Sequence, residues 1–140
     1  MNRAFPLLAL AVLGACVPVA VPDAVSNTLP VTSLAGEYRV AGIDGKPLDW
    51  PFGIALSVSQ DRIVFDGPCN GYAWDYRLMG RSLQLRRSAS PNPDCLAAAR
   101  IHHLVFDLAT AVDAATSAGR DPSNAVILAG GDHQVTLYSQ

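Results

Sequence analysis

The sequence predicts an α+β fold: a small antiparallel β-sheet or open barrel of about seven to eight strands with one helix packed on it. Three observations predict it. Short segments of alternating apolar and polar residues recur between turn signals from Leu34 to Leu85. A single apolar pattern with three- and four-residue steps follows Asn92-Pro93. A closing pair of strand-like runs flanks Gly130-Gly131.

The chain has 140 residues, room for one domain with a short leader attached. Its formal charge is -2, and its ten Lys and Arg form no basic stripe, which argues against nucleic acid as a partner. No long apolar run follows the N-terminus, so no membrane-spanning helix is expected after it.

The first expected strand is Leu34 to Ile43, with Tyr38 and Val40 on one face and Glu37 and Arg39 on the other. Asp44-Gly45 turns the chain, and Trp50-Pro51-Phe52 is an apolar cluster in a loop, read as plugging the barrel end rather than as exposed. Ile54, Leu56 and Val58 point inward on the next strand, and Arg62 to Phe65 returns antiparallel to it. Gly67-Pro68 leads to Cys69 and Asn70. The strand Gly71 to Leu78 then carries Tyr72, Trp74, Tyr76 and Leu78 on one face, an aromatic stripe read as core rather than as a sugar or peptide platform.

Ser82 to Arg86 alternates again, and Ser90 to Asp94 ends the sheet. Asn92 is expected as a helix N-cap with Pro93 at the first helical position. The helix is expected from Asp94 to Leu108 or Ala111, with Cys95, Ala98, Ile101, Val105 and Leu108 on its buried face and His102 and His103 on its surface. Residues 110–116 fit either a longer helix or a strand. Ser117 to Asn124 reads as a polar loop, and Ala125 to Leu128 with Val135 to Tyr138 as the last hairpin.

The N-terminus reads as an export signal: Arg3, then an apolar run from Leu7 to Leu13. It ends in Leu13-Gly14-Ala15-Cys16, which resembles the bacterial lipobox, and that resemblance implies cleavage before Cys16 and lipidation of its thiol. The expected organisation is a signal peptide over 1–15, a Pro-containing tether over 16–32 and a folded domain over 33–140. Val17 after the Cys, by resemblance to enterobacterial sorting, implies the outer membrane facing the periplasm.

With Cys16 lipidated, two of the three cysteines remain. Cys69 and Cys95 are read as a disulfide in an oxidising compartment, with buried free thiols and metal binding as the alternatives. Metal is disfavoured because adjacent histidines on a helix point about 100° apart. No cofactor and no metal site is expected.

Leu34-Ala35-Gly36-Glu37-Tyr38-Arg39-Val40 resembles the opening segment of the META/HslJ domain family, with Tyr38 at its usual Trp. Gly67-Pro68-Cys69-Asn70-Gly71-Tyr72 resembles that family's G-C-N-x-Y/F signature, carried here by Gly67, Cys69, Asn70 and Tyr72, with Pro68 at its usual Gly. Cys95 falls at the second motif, although the Thr and Met of that motif are missing. The resemblance implies a small α+β domain, often on an exported lipoprotein, linked to stress and antibiotic tolerance, with no catalytic residues to carry over. Asn70 is expected to satisfy backbone groups where the strand begins.

The reading that follows is a non-enzymatic envelope lipoprotein, a binding or stress module whose partners are the membrane, through its anchor, and an envelope protein or small ligand. A lysozyme-inhibitor-like lipoprotein is the alternative, acting through Ser88 to Asp94 or Ser117 to Asn124. A hydrolase built on His102 or His103 is the third, and no nucleophile or carboxylate stands at a supporting spacing.

Overall fold

Alternate positions along each strand point to a common interior, and that interior closes on itself. The structure, a computed structural model, describes residues 27–140. The strands are β1 (Gly36–Ile43), β2 (Lys46–Pro47), β3 (Ala55–Val58), β4 (Arg62–Phe65), β5 (Tyr72–Met79), β6 (Ser82–Ala89), β7 (Ser117–Arg120), β8 (Val126–Gly130) and β9 (His133–Ser139). Helices α1 (Pro93–Ala98) and α2 (His103–Ala114) lie between β6 and β7. Eight strands form a closed antiparallel barrel in the order β1-β3-β4-β5-β6-β7-β8-β9, with β2 added beside β1. Pairing of β1 with β9, from Tyr38↔Ser139 to Ile43↔Val135, closes the ring. The fold class is therefore as the sequence predicts, and the barrel is closed rather than open.

An eight-stranded barrel is about wide enough for side chains alone to fill. Here Val40, Leu56, Ile63, Trp74, Leu128 and Leu137 do so, each at most 2% exposed. Tyr38, Ile54 and Val58 join them, matching the alternation in the sequence. Of the aromatic stripe, Tyr72, Trp74 and Tyr76 are buried and Leu78 is partly buried. Val105, Leu108, Ala109 and Val112 of α2 pack into the same core, chiefly against β8 and β9. Gly130 permits this approach, because a Cβ there would collide with the Ala114 carbonyl oxygen at the end of α2.

The expected single helix is two. Ala99 (φ -92°, ψ 144°) ends α1 and His102 (φ -68°, ψ 138°) begins α2, both in extended conformation. A straight helix would have to set Cys95 on Cys69 and also seat Val105 and Leu108 in the barrel. The break lets each half meet its own partner. The ambiguous segment 110–116 continues α2 to Ala114, and the expected loop Ser117 to Asn124 begins as β7.

The seam of the barrel is between β6 and β7, which register only at Ser82↔Ser117. Beyond that pair the N-terminal segment occupies the gap: Leu29 and Arg120 exchange backbone hydrogen bonds of 2.8 Å in each direction. Thr28, Val31 and Leu34 are buried. Packed chain thus begins upstream of Ser33, within the stretch expected as tether. The expected signal peptide and the expected lipidation site at Cys16 lie outside the described residues.

Trp74 is fully buried, so its indole N–H needs an acceptor within the protein. Asp113 of α2 supplies one: Trp74 Nε1 donates to Asp113 Oδ1 at 2.7 Å. Arg87 of β6 donates through Nε to the same oxygen at 3.1 Å and pairs with Oδ2. Asp113→Ala is expected to lower unfolding free energy by about 1–3 kcal/mol, the cost of an orphaned buried donor. Asp113→Asn, which keeps an acceptor oxygen, should cost less. Urea denaturation checks both, and equal midpoints for the two variants and the wild type would refute the assignment.

Candidate functional site

The turn between β4 and β5 runs through left-handed backbone. Cys69 (φ 64°), Asn70 (φ 74°) and Gly71 (φ 61°) adopt it in succession. At Gly71 a Cβ would also collide with the Phe65 carbonyl oxygen, so glycine is required there. Asn tolerates this region better than most residues, and the exposed Asn70 side chain makes no hydrogen bond among the described residues. Its contribution is therefore conformational, which corrects the expectation that it satisfies backbone groups.

Cys69 is held from two sides. The Asn92 N–H donates to its carbonyl oxygen at 3.0 Å, and Cys95 stands at disulfide distance, with Cα atoms 5.6 Å apart across a 26-residue separation. Asn92 caps α1 as the sequence predicts, its Oδ1 accepting from the N–H groups of Asp94 (2.9 Å) and Cys95 (3.0 Å). Tyr72, the last signature residue, is buried and stacks on Trp74 with ring centroids 5.7 Å apart, while the Arg87 guanidinium lies 4.9 Å from its ring centre. Gly67, Cys69 and Asn70 thus shape a turn, and Tyr72 belongs to the core.

Beside this turn lies a cleft of ≈ 270 Å³ between the 50–54 loop, the turn and the α1–α2 junction. Its wall includes Trp50, Phe52, Ile54, Phe65 and Val105, with Asp66, Arg100 and His102 also lining it. Trp50 is half-buried and stacks on His102, centroids 4.8 Å apart at 28°. Phe52 meets Trp50 edge-on at 6.3 Å and is 72% exposed. The loop cluster is therefore divided: Trp50 covers the core and Phe52 faces water.

His102 and His103 are exposed, as expected, but they do not share one helix. His102 is the N-cap of α2, its Nδ1 accepting from the Leu104 N–H at 3.3 Å. The helix break brings their rings to 4.4 Å, instead of the helical divergence the sequence suggests. Among the described residues no group of three His, Cys, Asp or Glu is placed to hold a metal ion. No helix among them is long and apolar enough to cross a membrane.

A larger hollow of ≈ 500 Å³ lies elsewhere, lined mostly by polar residues such as Thr32, Gln60, Asp61 and Arg77. Tyr76 lines it too and donates its hydroxyl hydrogen to the Ser59 carbonyl at 2.8 Å. Burial, then the neighbouring Tyr38 and Asp61, raise the Tyr76 phenol above its ordinary 10.0. The turn after β7 is closed by its own hydrogen bonds: Asp121 Oδ1 accepts from Ser123 Oγ (2.7 Å) and the Ala125 N–H (2.9 Å). The Ser123 hydroxyl and these backbone donors hold the Asp121 carboxyl below its ordinary 3.8.

Comparisons with protein families, with curated proteins and with solved structures found no match for the chain. The geometry stands by itself.

Two outcomes follow. Replacing Cys69 and Cys95 together by Ala should lower unfolding free energy by about 3.5 kcal/mol, the loop-closure value for this spacing, as read by denaturant titration. An unchanged midpoint would show that the pair is not bonded. At alkaline pH the raised Tyr76 value means that the folded state favours the neutral phenol. That contribution is complete below about pH 10 and is lost as pH rises through the folded value. Unfolding midpoints measured from pH 8 to 11 should fall above about pH 10, less steeply in Tyr76→Phe. Parallel curves for the two proteins would count against it.

Proposed function

We propose that the chain is a non-enzymatic lipoprotein of the bacterial cell envelope, a META/HslJ-like binding or stress module anchored through Cys16 to the outer membrane and facing the periplasm. The observation that carries this reading is the cysteine arrangement. Cys69 and Cys95 stand at disulfide distance, an arrangement that suits an oxidising compartment, and the remaining Cys16 follows the apolar leader at the position of a lipobox. The barrel is filled by its own side chains, so a ligand is better received on the surface. The aromatic cleft beside the signature turn supplies such a place.

A second reading, an inhibitor of a basic envelope hydrolase, is supported by the turn after β7. It is closed by its own hydrogen bonds, holds the Asp121 carboxyl below its ordinary value and exposes Ser123, which bonds the exposed Tyr138 hydroxyl at 3.0 Å. Retention of the protein on immobilised lysozyme, lost in Ser123→Trp, would favour this reading. Passage without retention would remove it.

Intact mass of protein extracted from membranes, before and after reduction and thiol alkylation, tests the leading reading. The expected species begins at Cys16, carries acyl chains and shows the hydrogen deficit of one disulfide that reduction abolishes. A chain that retains Met1, lacks acylation and alkylates at Cys69 and Cys95 without reduction would overturn it.

A further inference from the structure

The cleft beside the Cys69 turn carries a combination of groups that structural packing leaves unused. Phe52 keeps most of its ring in water at the cleft wall. Buried apolar surface is favourable and exposed aromatic surface is not, so a wall of this kind gains from an occupant. The Asp66 carboxylate and the Arg100 guanidinium line the same cleft. They form no ion pair with each other, and neither takes a partner elsewhere among the described residues. Both groups therefore face the cleft with their charges uncompensated by the protein.

His102 adds a directed donor. Its Nδ1 lone pair accepts from the Leu104 N–H, which leaves Nε2 to carry the ring proton in the neutral side chain. Stacking on Trp50 fixes the plane of the ring. The cleft therefore offers one anion, one cation, one oriented N–H and an apolar wall. Its ≈ 270 Å³ lies just under the usual ligand-pocket range of about 300–1,000 Å³, room for a single ring or a short chain.

A ligand complementary to these groups bears both charges beside an apolar side chain. We propose that the cleft binds a free α-amino acid with an aromatic or large aliphatic side chain. Asp66 takes the ammonium group, Arg100 and the His102 Nε2–H take the carboxylate, and the side chain lies against Phe52 and Trp50. A saccharide fits less well. One face of Trp50 is already covered by His102, and Phe52 stands at 90° to it, so the two rings make a corner rather than a platform. This inference rests on the reading of the domain as a binding module and gives that module a ligand class.

The test uses the full chain in lipid nanodiscs and follows tryptophan emission, since Trp50 lines the cleft and Trp74 is buried. The probes are L-phenylalanine, phenylacetate, phenethylamine and N-acetylglucosamine. L-phenylalanine should give a saturable change, and phenylacetate and phenethylamine, each lacking one charge, should bind at least about tenfold more weakly. Asp66→Asn should abolish the preference over phenylacetate, and Arg100→Gln the preference over phenethylamine. Arg77→Gln, at the separate polar hollow, should change nothing. Unfolding midpoints of the variants identify any loss of fold, and the probe series on the unaltered chain decides the question without them. Absence of saturation by L-phenylalanine, equal binding of phenylacetate, or saturation by N-acetylglucosamine instead would each overturn the proposal. Acylation of Cys16 measured on the same sample separates failure of this site from failure of the envelope reading.

Discussion

An indole that water cannot reach must find its acceptor inside the protein, and much of this structure follows from that requirement. Trp74 lies in the core with no exposed surface. Its acceptor is a carboxylate on α2, the helix that also supplies Val105, Leu108 and Val112 to the core. The same carboxylate is held by Arg87 on β6, and Arg87 in turn covers the ring of Tyr72. One polar connection thus joins β5, β6 and α2. The ion pair itself is partly exposed and contributes modestly. Satisfying the buried N–H is the larger effect, because an unpaired donor at that depth keeps its full desolvation cost.

The second constraint is the turn before β5. Three successive residues with positive φ are unfavourable unless neighbouring structure fixes them. Gly71 meets the requirement by lacking a side chain. Asn70 meets it by its tolerance of that region, and Cys69 through its pairing with Cys95 and the hydrogen bond from Asn92. Pinning Cys95 shortens α1 and frees α2 to follow its own packing. Arg100 to His102, in the chain between them, form one wall of the cleft. The turn, the break in the helix and the cleft thus adjoin one another.

Much of the barrel was legible in the sequence. Period-two alternation is set by the backbone itself, so Tyr38, Val40, Ile54, Leu56 and Val58 could be assigned inward before any tertiary contact was known. Local chemistry was equally readable at Asn92-Pro93, where the cap needs only its own side chain and the next two N–H groups. The cysteine pair was readable by elimination once Cys16 was set aside. What failed were assignments that depended on distant partners. Ser117 to Arg120 looked like a loop because Ser, Ala and Gly carry little strand preference, yet β8 pairs with all four residues. Asp113 carried no signal at all, since nothing in its neighbours indicates that an indole 39 residues away needs an acceptor.

The sequence by itself determined the strand alternation, most of the turns and the cap at Asn92, because each depends on period or backbone preference, and the cysteine count pointed to Cys69 and Cys95 as partners. Only the tertiary structure decided that the sheet closes, that the helix breaks at Ala99 to His102, and that Trp50, Phe52, Asp66, Arg100 and His102 share one cleft. Ring closure and cleft formation join residues far apart in the chain, and their free energy resides in contacts that no local window contains.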